Sequence, residues 1–168
     1  MEIRDGYYPD GTPSGRTFPR GVEMPDGLYC MGSEMLVRHK DGSYLITRRT
    51  DTKPLWPGRE ETSCGGAALA GETGLDCAVR ELKEELGITD AKLTLIERVV
   101  TPSRRNIHYI WLCETDVPKD SLILQKEEVA SYRWVDANEL ARFINSDEAI
   151  HPQVERFQKY FREQGFME

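Results

Sequence analysis

A helix with recognisable signals at both ends, from Thr73 to Gly87, is the feature that most constrains the fold of this chain. Thr73 can cap the first turn, and Asp76 three residues later completes a variant of the capping box. Gly87 stands where a helix C-cap belongs. Four aliphatic residues recur between these ends at helical spacing and predict one apolar stripe: Leu75, Val79, Leu82 and Leu86.

Strand signals lie on both sides of this helix. Strands are predicted over residues 28–37, 44–48, 93–100, 107–113 and 131–135. Asp41-Gly42 predicts a hairpin turn, and the two prolines between Asp51 and Gly58 predict a loop. Two further helices are predicted over residues 137–144 and 153–164. Because strands and helices interleave irregularly, the order favours an α+β fold in which helices pack on a mixed sheet.

The length of 168 residues suits one domain with a hydrophobic core. Residues 1–27, rich in glycine and proline, predict a hairpin and loop extension laid over a main domain of residues 28–168. No apolar run approaches the roughly 20 residues that span a bilayer, so no membrane association is expected. The first residues lack the basic and apolar segments of a secretory signal, and the four cysteines form no CxxC pair, which together predict a cytoplasmic protein with reduced thiols.

The formal net charge of −7 argues against sequence-independent binding of nucleic acid, which depends on neutralising phosphates with lysine and arginine. An acidic protein can bind a phosphate compound only through a local basic patch or through metal ions. The expected partner is therefore a small molecule, and the oligomeric state is left open, with a homodimer as one option.

The central helix also carries an acidic cluster, Glu81, Glu84 and Glu85, roughly 130° from the apolar stripe. On a solvated face such neighbours cost only about 0.2–0.5 kcal/mol per pair. If the face were partly buried, each pair would cost about 3 kcal/mol at an effective dielectric constant of about 20. A buried cluster would persist only with compensating cations, and carboxylate oxygens suit Mg²⁺ or Mn²⁺.

The spacing of residues beyond the helix favours a partly buried cluster that binds cations over a solvated helix face. The chain has Gly66, then Glu72 after five residues, then after seven more Arg80-Glu81-Leu82-Lys83-Glu84-Glu85-Leu86-Gly87-Ile88. This pattern resembles the Nudix box at all nine of its specified positions, a match expected by chance on the order of one time in a million. The resemblance covers roughly residues 28–145 and implies a Nudix-type α/β/α sandwich with a mixed sheet.

The resemblance implies a metal-dependent hydrolase that cleaves the diphosphate bond of a nucleoside diphosphate linked to another group. It implies that Arg80 orients Glu84 or Glu72 and does not touch the substrate. Gly66 and Gly87 are required for backbone shape. The implied ligands of Mg²⁺ or Mn²⁺ are Glu81, Glu84, Glu85 and the Gly66 carbonyl.

Several further site residues follow as hypotheses. The catalytic base is assigned first to Glu81 and second to Glu127 or Glu128, a pair that could equally be an exposed loop. Three basic residues that precede the box are candidates for binding a substrate phosphate, namely Arg48, Arg49 and Lys53. Because side chains alternate along a strand, only one of the first two can point into the site.

Two alternatives remain on the same fold. Thr62-Ser63-Cys64-Gly65-Gly66 resembles the cysteine segment of isopentenyl diphosphate isomerases, so Cys64 could serve an isomerase. In those enzymes a metal-binding histidine stands at the position of Gly66 and the box is degraded, whereas here the box is intact, which favours hydrolysis. A non-catalytic sensor of nucleotide derivatives is the third class, although sensors usually lose box carboxylates.

Overall fold

The structure, a computed structural model, describes residues 2–168. Within that range the chain forms nine strands and four α-helices. In chain order they are β1 (Ile3–Tyr7), β2 (Pro13–Pro19), β3 (Cys30–His39), β4 (Tyr44–Arg49), β5 (Glu60–Glu61), β6 (Ser63–Ala67), α1 (Gly74–Leu86), β7 (Ala91–Thr101), β8 (Asn106–Thr115), β9 (Val129–Val135), α2 (Ala137–Ile144), α3 (His151–Arg156) and α4 (Gln158–Glu163).

A seven-stranded mixed sheet is organised around β3. Along one edge β3 pairs in parallel with β8 over its whole length, and β8 pairs antiparallel with β7. Along the other edge β3 pairs antiparallel with β6 and, near its end, with β4. β4 continues the sheet through β5 and β9. The mixed sheet predicted from the interleaving of strands and helices is therefore confirmed.

The two faces of the sheet bury different helices, because successive side chains of a strand point in opposite directions. Leu36 faces the cluster formed with α2, α3 and α4, whose members include Leu140 and Phe161. Its neighbours Met35 and Val37 face α1 and pack with Leu82. The result is the predicted three-layer α/β/α arrangement.

Helix α1 has the predicted ends. The Thr73 side chain accepts the backbone N–H of Asp76, the Asp76 carboxylate accepts the N–H of Thr73, and Gly87 adopts a left-handed conformation with φ 70°. The predicted apolar stripe is wrong at two positions, since Leu75 and Val79 are exposed. The helix instead buries a side rotated toward the carboxylates, formed by Cys77, Ala78, Glu81, Leu82, Glu85 and Leu86.

Toward the C-terminus, α2 has the predicted bounds, whereas the single helix predicted over residues 153–164 is two short helices. The chain leaves α-helical geometry at Phe157, with φ −97° and ψ 3°. The Phe157 N–H is shared between the carbonyls of Gln153 and Val154. Phe157 is fully buried, so the break lies at a core contact that helical periodicity does not reveal.

The N-terminal residues form an antiparallel two-stranded sheet of β1 and β2. An isolated bridge between Tyr7 and Tyr29 attaches it to the segment that leads into β3. The hairpin thereby covers one end of the main sheet, and its last residues extend toward the acidic face of α1. Among residues 2–168, no helix has the length and apolar character needed to cross a membrane.

Candidate active site

A polar cleft of about 110 Å³ lies where α1, the start of the chain and the loop before β9 meet. We call it the carboxylate cleft. The principal residues around it are Arg20, Lys53, Gly66, Arg80, Glu81, Glu84, Glu85 and Glu128. Three glutamates of the box, its arginine and its first glycine are thus in one place, as the spacing predicts.

Two of these glutamates are buried. Glu81 is 8% exposed and Glu85 is 9% exposed, whereas the Glu84 side chain is 48% exposed. Burial raises the pKa of Glu81, although hydrogen bonds from Arg80 oppose the shift. Burial, followed by repulsion from Glu81 and Glu61, raises the pKa of Glu85 to about 8. The interpretation of a merely solvated helix face therefore does not apply to Glu81 and Glu85.

Arg80 connects the carboxylates of the box. Its Nε donates to Glu72 at 2.7 Å, and Nη1 donates to Glu81 at 2.8 Å and to Glu84 at 2.9 Å. Nη2 donates to Glu72 and to the Ala67 carbonyl, both at 3.0 Å. Although burial alone would raise the pKa of Glu72, the hydrogen bonds from Arg80 lower it. With its donors occupied by the protein, Arg80 is suited to positioning the glutamates.

The two glycines of β6 allow the carboxylates to approach the backbone. A Cβ on Gly66 would lie 2.3 Å from Glu81 Oε1, so any side chain there would displace that carboxylate. Gly65 has φ 148°, and its N–H donates to Glu85 Oε2 at 3.1 Å. The Gly66 carbonyl accepts the Cys77 thiol, Sγ to O being 3.4 Å. The backbone of β6 and the acidic side chains of α1 are therefore packed against each other.

Of the three predicted phosphate-binding cations, Lys53 lines the carboxylate cleft and forms an ion pair there with Glu128. Arg49 is held by the buried Glu61, with Nη1 to Oε2 at 3.0 Å. Arg48 lies outside the cleft and donates to Asp51 at 2.9 Å. The two arginines point to different surroundings because they are neighbours on β4.

The carboxylate cleft continues into a second cavity of about 120 Å³, which we call the side cavity. The two share Lys53, Gly65 and Glu85. Apart from Cys64 and Gly65, the side cavity is lined by polar or charged residues: Glu34, Arg49, Lys53, Glu61, Ser63, Glu85 and Gln153. An apolar hydrocarbon chain would find few partners there.

Cys64 belongs to the core cluster between the sheet and α1, together with Met35 and Leu82. It is 5% exposed, and burial followed by repulsion from Glu85 raises the pKa of its thiol well above the usual value. Cys64 directly precedes the Gly65-Gly66 segment in β6. A thiol in this environment is neutral near pH 7.

Sequence reasoning did not identify three residues of the cleft, Glu2, Arg20 and Gln125. Arg20 pairs with Glu2 across the ends of the N-terminal hairpin, Nη1 to Oε2 being 2.5 Å. Neither carries a local signal, since they reach the site only through the long-range packing of a hairpin on the main domain. Glu127, by contrast, contributes its carbonyl to Thr50 and is not among the cleft residues.

The donor set of the cleft fits a divalent cation. Ionising both buried glutamates places two negative charges side by side, and a cation with carboxylate ligands would offset that cost. In residues 2–168 no three acidic, thiol or imidazole side chains are already arranged as metal ligands. The reason is visible in the hydrogen bonds, because Arg80 holds both Glu81 and Glu84.

Two tryptophans that could in principle stack on a nucleotide base, Trp56 and Trp111, lie away from the cleft. Trp111 is buried, and its Nε1 donates to Ser33 at 3.2 Å. Trp56 is exposed on the loop between β4 and β5. Neither residue lines the carboxylate cleft or the side cavity.

Comparison with known proteins agrees with this geometry. The NUDIX domain family matches residues 32–157. A Nudix hydrolase of Listeria monocytogenes, itself uncharacterised, is 34% identical over 143 residues, covering 82% of this chain and 81% of the relative. An isopentenyl-diphosphate Delta-isomerase of Corynebacterium diphtheriae is 31% identical over 145 residues, covering 81% and 79%.

Solved structures share the fold. DR0079 from Deinococcus radiodurans superposes with a TM-score of 0.70 at 21% identity, covering 88% of this chain and 91% of that one. A MutT protein from Methanosarcina mazei superposes with a TM-score of 0.64 at 21% identity, covering 86% and 99%. The resemblance carried by residues 66–88, including the likeness to isomerases, is confirmed. This chain belongs to the Nudix hydrolase family, whose members act on phosphorus-containing acid anhydrides.

Proposed function

We propose that the chain hydrolyses, with Mg²⁺ or Mn²⁺, the diphosphate bond of a nucleoside diphosphate linked to another group. The observation that carries this proposal is the burial of Glu81 and Glu85 in a cleft that also contains two basic side chains, Lys53 and Arg20. Acidic oxygens for a metal and cations for phosphate oxygens are thus within one cleft. The metal ligands would be Glu81, Glu84, Glu85 and the Gly66 carbonyl.

When bound, the metal supplies Lewis-acid chemistry that activates water and offsets charge on the phosphate oxygens. Arg80 holds Glu72, Glu81 and Glu84 in position through its hydrogen bonds. Lys53 and Arg20 bind phosphate oxygens, which requires each to exchange its present carboxylate partner. The exchange costs little for the exposed Arg20–Glu2 pair. The Lys53–Glu128 pair is partly buried, so a phosphate oxygen must replace the Glu128 carboxylate as the partner of Lys53.

The base that accepts the proton of the attacking water is Glu81 in this proposal. Its burial raises the pKa of its carboxylate, which favours proton uptake, and it lies against Gly66 at the centre of the cleft. Glu128 is the second candidate, since it lines the same cleft and could take the proton after Lys53 turns to the substrate.

The test is a panel of nucleotide derivatives supplied with Mg²⁺ or Mn²⁺, with release of phosphate-containing products measured. We expect turnover that EDTA abolishes and that added Mg²⁺ or Mn²⁺ restores. Turnover that is indifferent to the chelator would contradict the assignment, and binding without turnover across the panel would favour a sensor.

Lys53→Gln is expected to raise KM about tenfold and to leave kcat less affected, because the cation is proposed to bind the ground-state phosphate. Arg48→Gln is the matched control, since it removes one positive charge from the same region but lies outside the cleft. Steady-state kinetics of both variants decide the point. Equal effects would mean that only the general electrostatic field had changed.

Isomerisation is the second candidate, because isopentenyl-diphosphate isomerases are among the relatives. Its catalytic group here would be Cys64, a buried neutral thiol next to a polar cavity that suits a hydrocarbon chain poorly. We expect Cys64→Ser to retain most hydrolytic activity, and the unmutated protein to show no interconversion of isopentenyl and dimethylallyl diphosphate. A folded, metal-binding but inactive Cys64→Ser protein would revive the isomerase.

A further inference from the structure

A third cavity of about 250 Å³ lies at the start of β3 and β8, where the N-terminal segment covers the main sheet. We call it the arginine pocket, after Arg4, Arg104 and Arg105, which line it. The reaction proposed above makes no use of it. It is the place in the described chain where three guanidinium groups share a cavity.

The charge of the arginine pocket is opposite to that of the protein. Among the residues that line it, the one carboxylate is Glu23, which is exposed and 3.6 Å from Arg105. Arg105 also pairs with the exposed Asp26 beside the pocket, and the whole chain has a net charge of −7. Cys30 also lines the pocket, and burial raises the pKa of its thiol, so it remains neutral near pH 7. An anion entering the pocket would therefore meet a locally positive surface.

The arginines are not all satisfied by the protein. Arg4 Nη2 donates to the Val22 carbonyl at 2.5 Å, but within residues 2–168 its buried Nε has no acceptor. The exposed side chain of Arg104 forms no hydrogen bond or ion pair with any described residue. Arg105 is anchored to the Met24 carbonyl and to Asp26. One guanidinium is thus fixed, and two retain free donors.

The arginine pocket adjoins the carboxylate cleft. Glu2 lines the cleft and Arg4 lines the pocket, and residues two apart on an extended segment lie on the same face, about 7 Å from each other. After β2 the chain turns at Arg20-Gly21, and this turn places Arg20 in the cleft and Val22 in the pocket. A single small molecule can therefore reach both.

We propose that the arginine pocket binds a phosphate monoester group of the same substrate whose diphosphate lies in the carboxylate cleft. This inference rests on the proposed function and narrows its substrate class to diphosphates that carry an additional phosphate. Guanidinium groups match phosphate oxygens through paired, charge-assisted hydrogen bonds. The cavity has the volume of about eight water molecules, enough for a phosphate and part of the group that bears it.

The test compares two pairs of compounds: NADP⁺ with NAD⁺, and coenzyme A with its 3′-dephospho form. Within each pair the two members contain the same diphosphate bond and differ by one phosphate monoester. We expect the phosphorylated member of at least one pair to have a kcat/KM about tenfold higher or more with Mg²⁺. The same preference should appear in dissociation constants measured by calorimetry in EDTA, where hydrolysis is expected to stop.

Arg4→Gln and Arg104→Gln should each reduce this preference toward one. Arg16→Gln is the matched control, because Arg16 is exposed on β2 and lines neither cavity. The Arg104 side chain makes no contact that the fold needs, so its variant remains informative if Arg4→Gln folds poorly. Equal kcat/KM and equal binding within both pairs would overturn the inference, as would a preference that survives both variants.

The two proposals fail in different ways. If no compound is hydrolysed but the phosphorylated members still bind more tightly and lose that advantage in Arg104→Gln, the hydrolase assignment fails and the pocket stands. If compounds are hydrolysed without any preference, the pocket fails. A titration with inorganic phosphate tests whether the pocket binds free phosphate instead of a phosphate of the substrate. If phosphate binding needs Arg104 but neither compound pair shows a preference, the pocket is a separate phosphate site and the inference is overturned.

Discussion

Glu85→Gln is expected to lower kcat by about 10²–10³-fold while the protein remains folded. The substitution removes one proposed metal ligand charge and keeps the shape of the side chain. The amide oxygen can still accept the N–H of Gly65, which Glu85 now accepts at 3.1 Å. Glu84→Gln, at the exposed end of the cluster, is expected to act in the same direction. Steady-state kinetics and circular dichroism of the same preparations measure both properties.

The stability of metal-free Glu85→Gln should depend on pH in a defined direction. Because the folded protein raises the pKa of Glu85 from about 4.5 to about 8, the folded state holds this proton more tightly than the unfolded state does. Glu85 therefore contributes a loss of stability to the unmutated protein as pH rises from about 4.5 to about 8, on the order of a few kcal/mol. The variant lacks this contribution and should lose less stability over the same range, in which the raised pKa values of Glu61 and Glu81 also act.

Melting temperatures in EDTA check this expectation. At pH 8 the Glu85→Gln protein should melt at a higher temperature than the unmutated protein, and near pH 4 the difference should vanish. Added Mg²⁺ should stabilise the unmutated protein more than the variant. A variant that unfolds in EDTA at every pH would mean that Glu85 is a structural residue.

Gly66→Ala is expected to abolish most activity and to destabilise the protein. The added Cβ would lie 2.3 Å from Glu81 Oε1, a distance at which the carboxylate must leave its position. Moving Glu81 would also break its hydrogen bond from Arg80 and disturb the proposed metal ligands. We expect a loss of kcat/KM of at least about a hundredfold, because misplaced catalytic groups cost this much.

A double-mutant cycle identifies the cause of the destabilisation. If the clash with Glu81 is responsible, Gly66→Ala should destabilise the unmutated background but should cost much less in a Glu81→Ala background. Urea unfolding of the four proteins measures the coupling. An equal cost in both backgrounds would place the problem in the β3–β6 pairing and would contradict the clash.

The features that sequence reasoning captured are local or fixed by spacing. The caps of α1 depend on residues within one turn, and the box places Gly66 and the glutamates by their intervals alone. The burial of Glu81 and Glu85 was open, because periodicity identifies faces but not which face a neighbouring sheet covers. Leu75 and Val79 were misassigned for this reason, since the sheet covers the side of the helix that carries acidic residues.

Long-range contacts account for what remained hidden. The break at Phe157 reflects a core position, and helical spacing on both sides of it is undisturbed. Arg4 and Arg20 come from a segment rich in glycine and proline, in which no pattern indicates that it reaches a site built by residues far along the chain. Arg49 illustrates the same limit, because its partner Glu61 is assigned by strand pairing and not by sequence proximity.

The segment that precedes the NUDIX domain carries residues proposed to bind the substrate but none of the proposed metal ligands. The glutamates proposed for metal binding lie within residues 32–157, whereas Glu2, Arg4 and Arg20 lie before that range. Substitutions in the leading segment could therefore alter which compounds are accepted without moving a carboxylate of α1. Exchange of such hairpins between relatives offers an evolutionary route to new substrates in which the cleavage machinery is inherited unchanged.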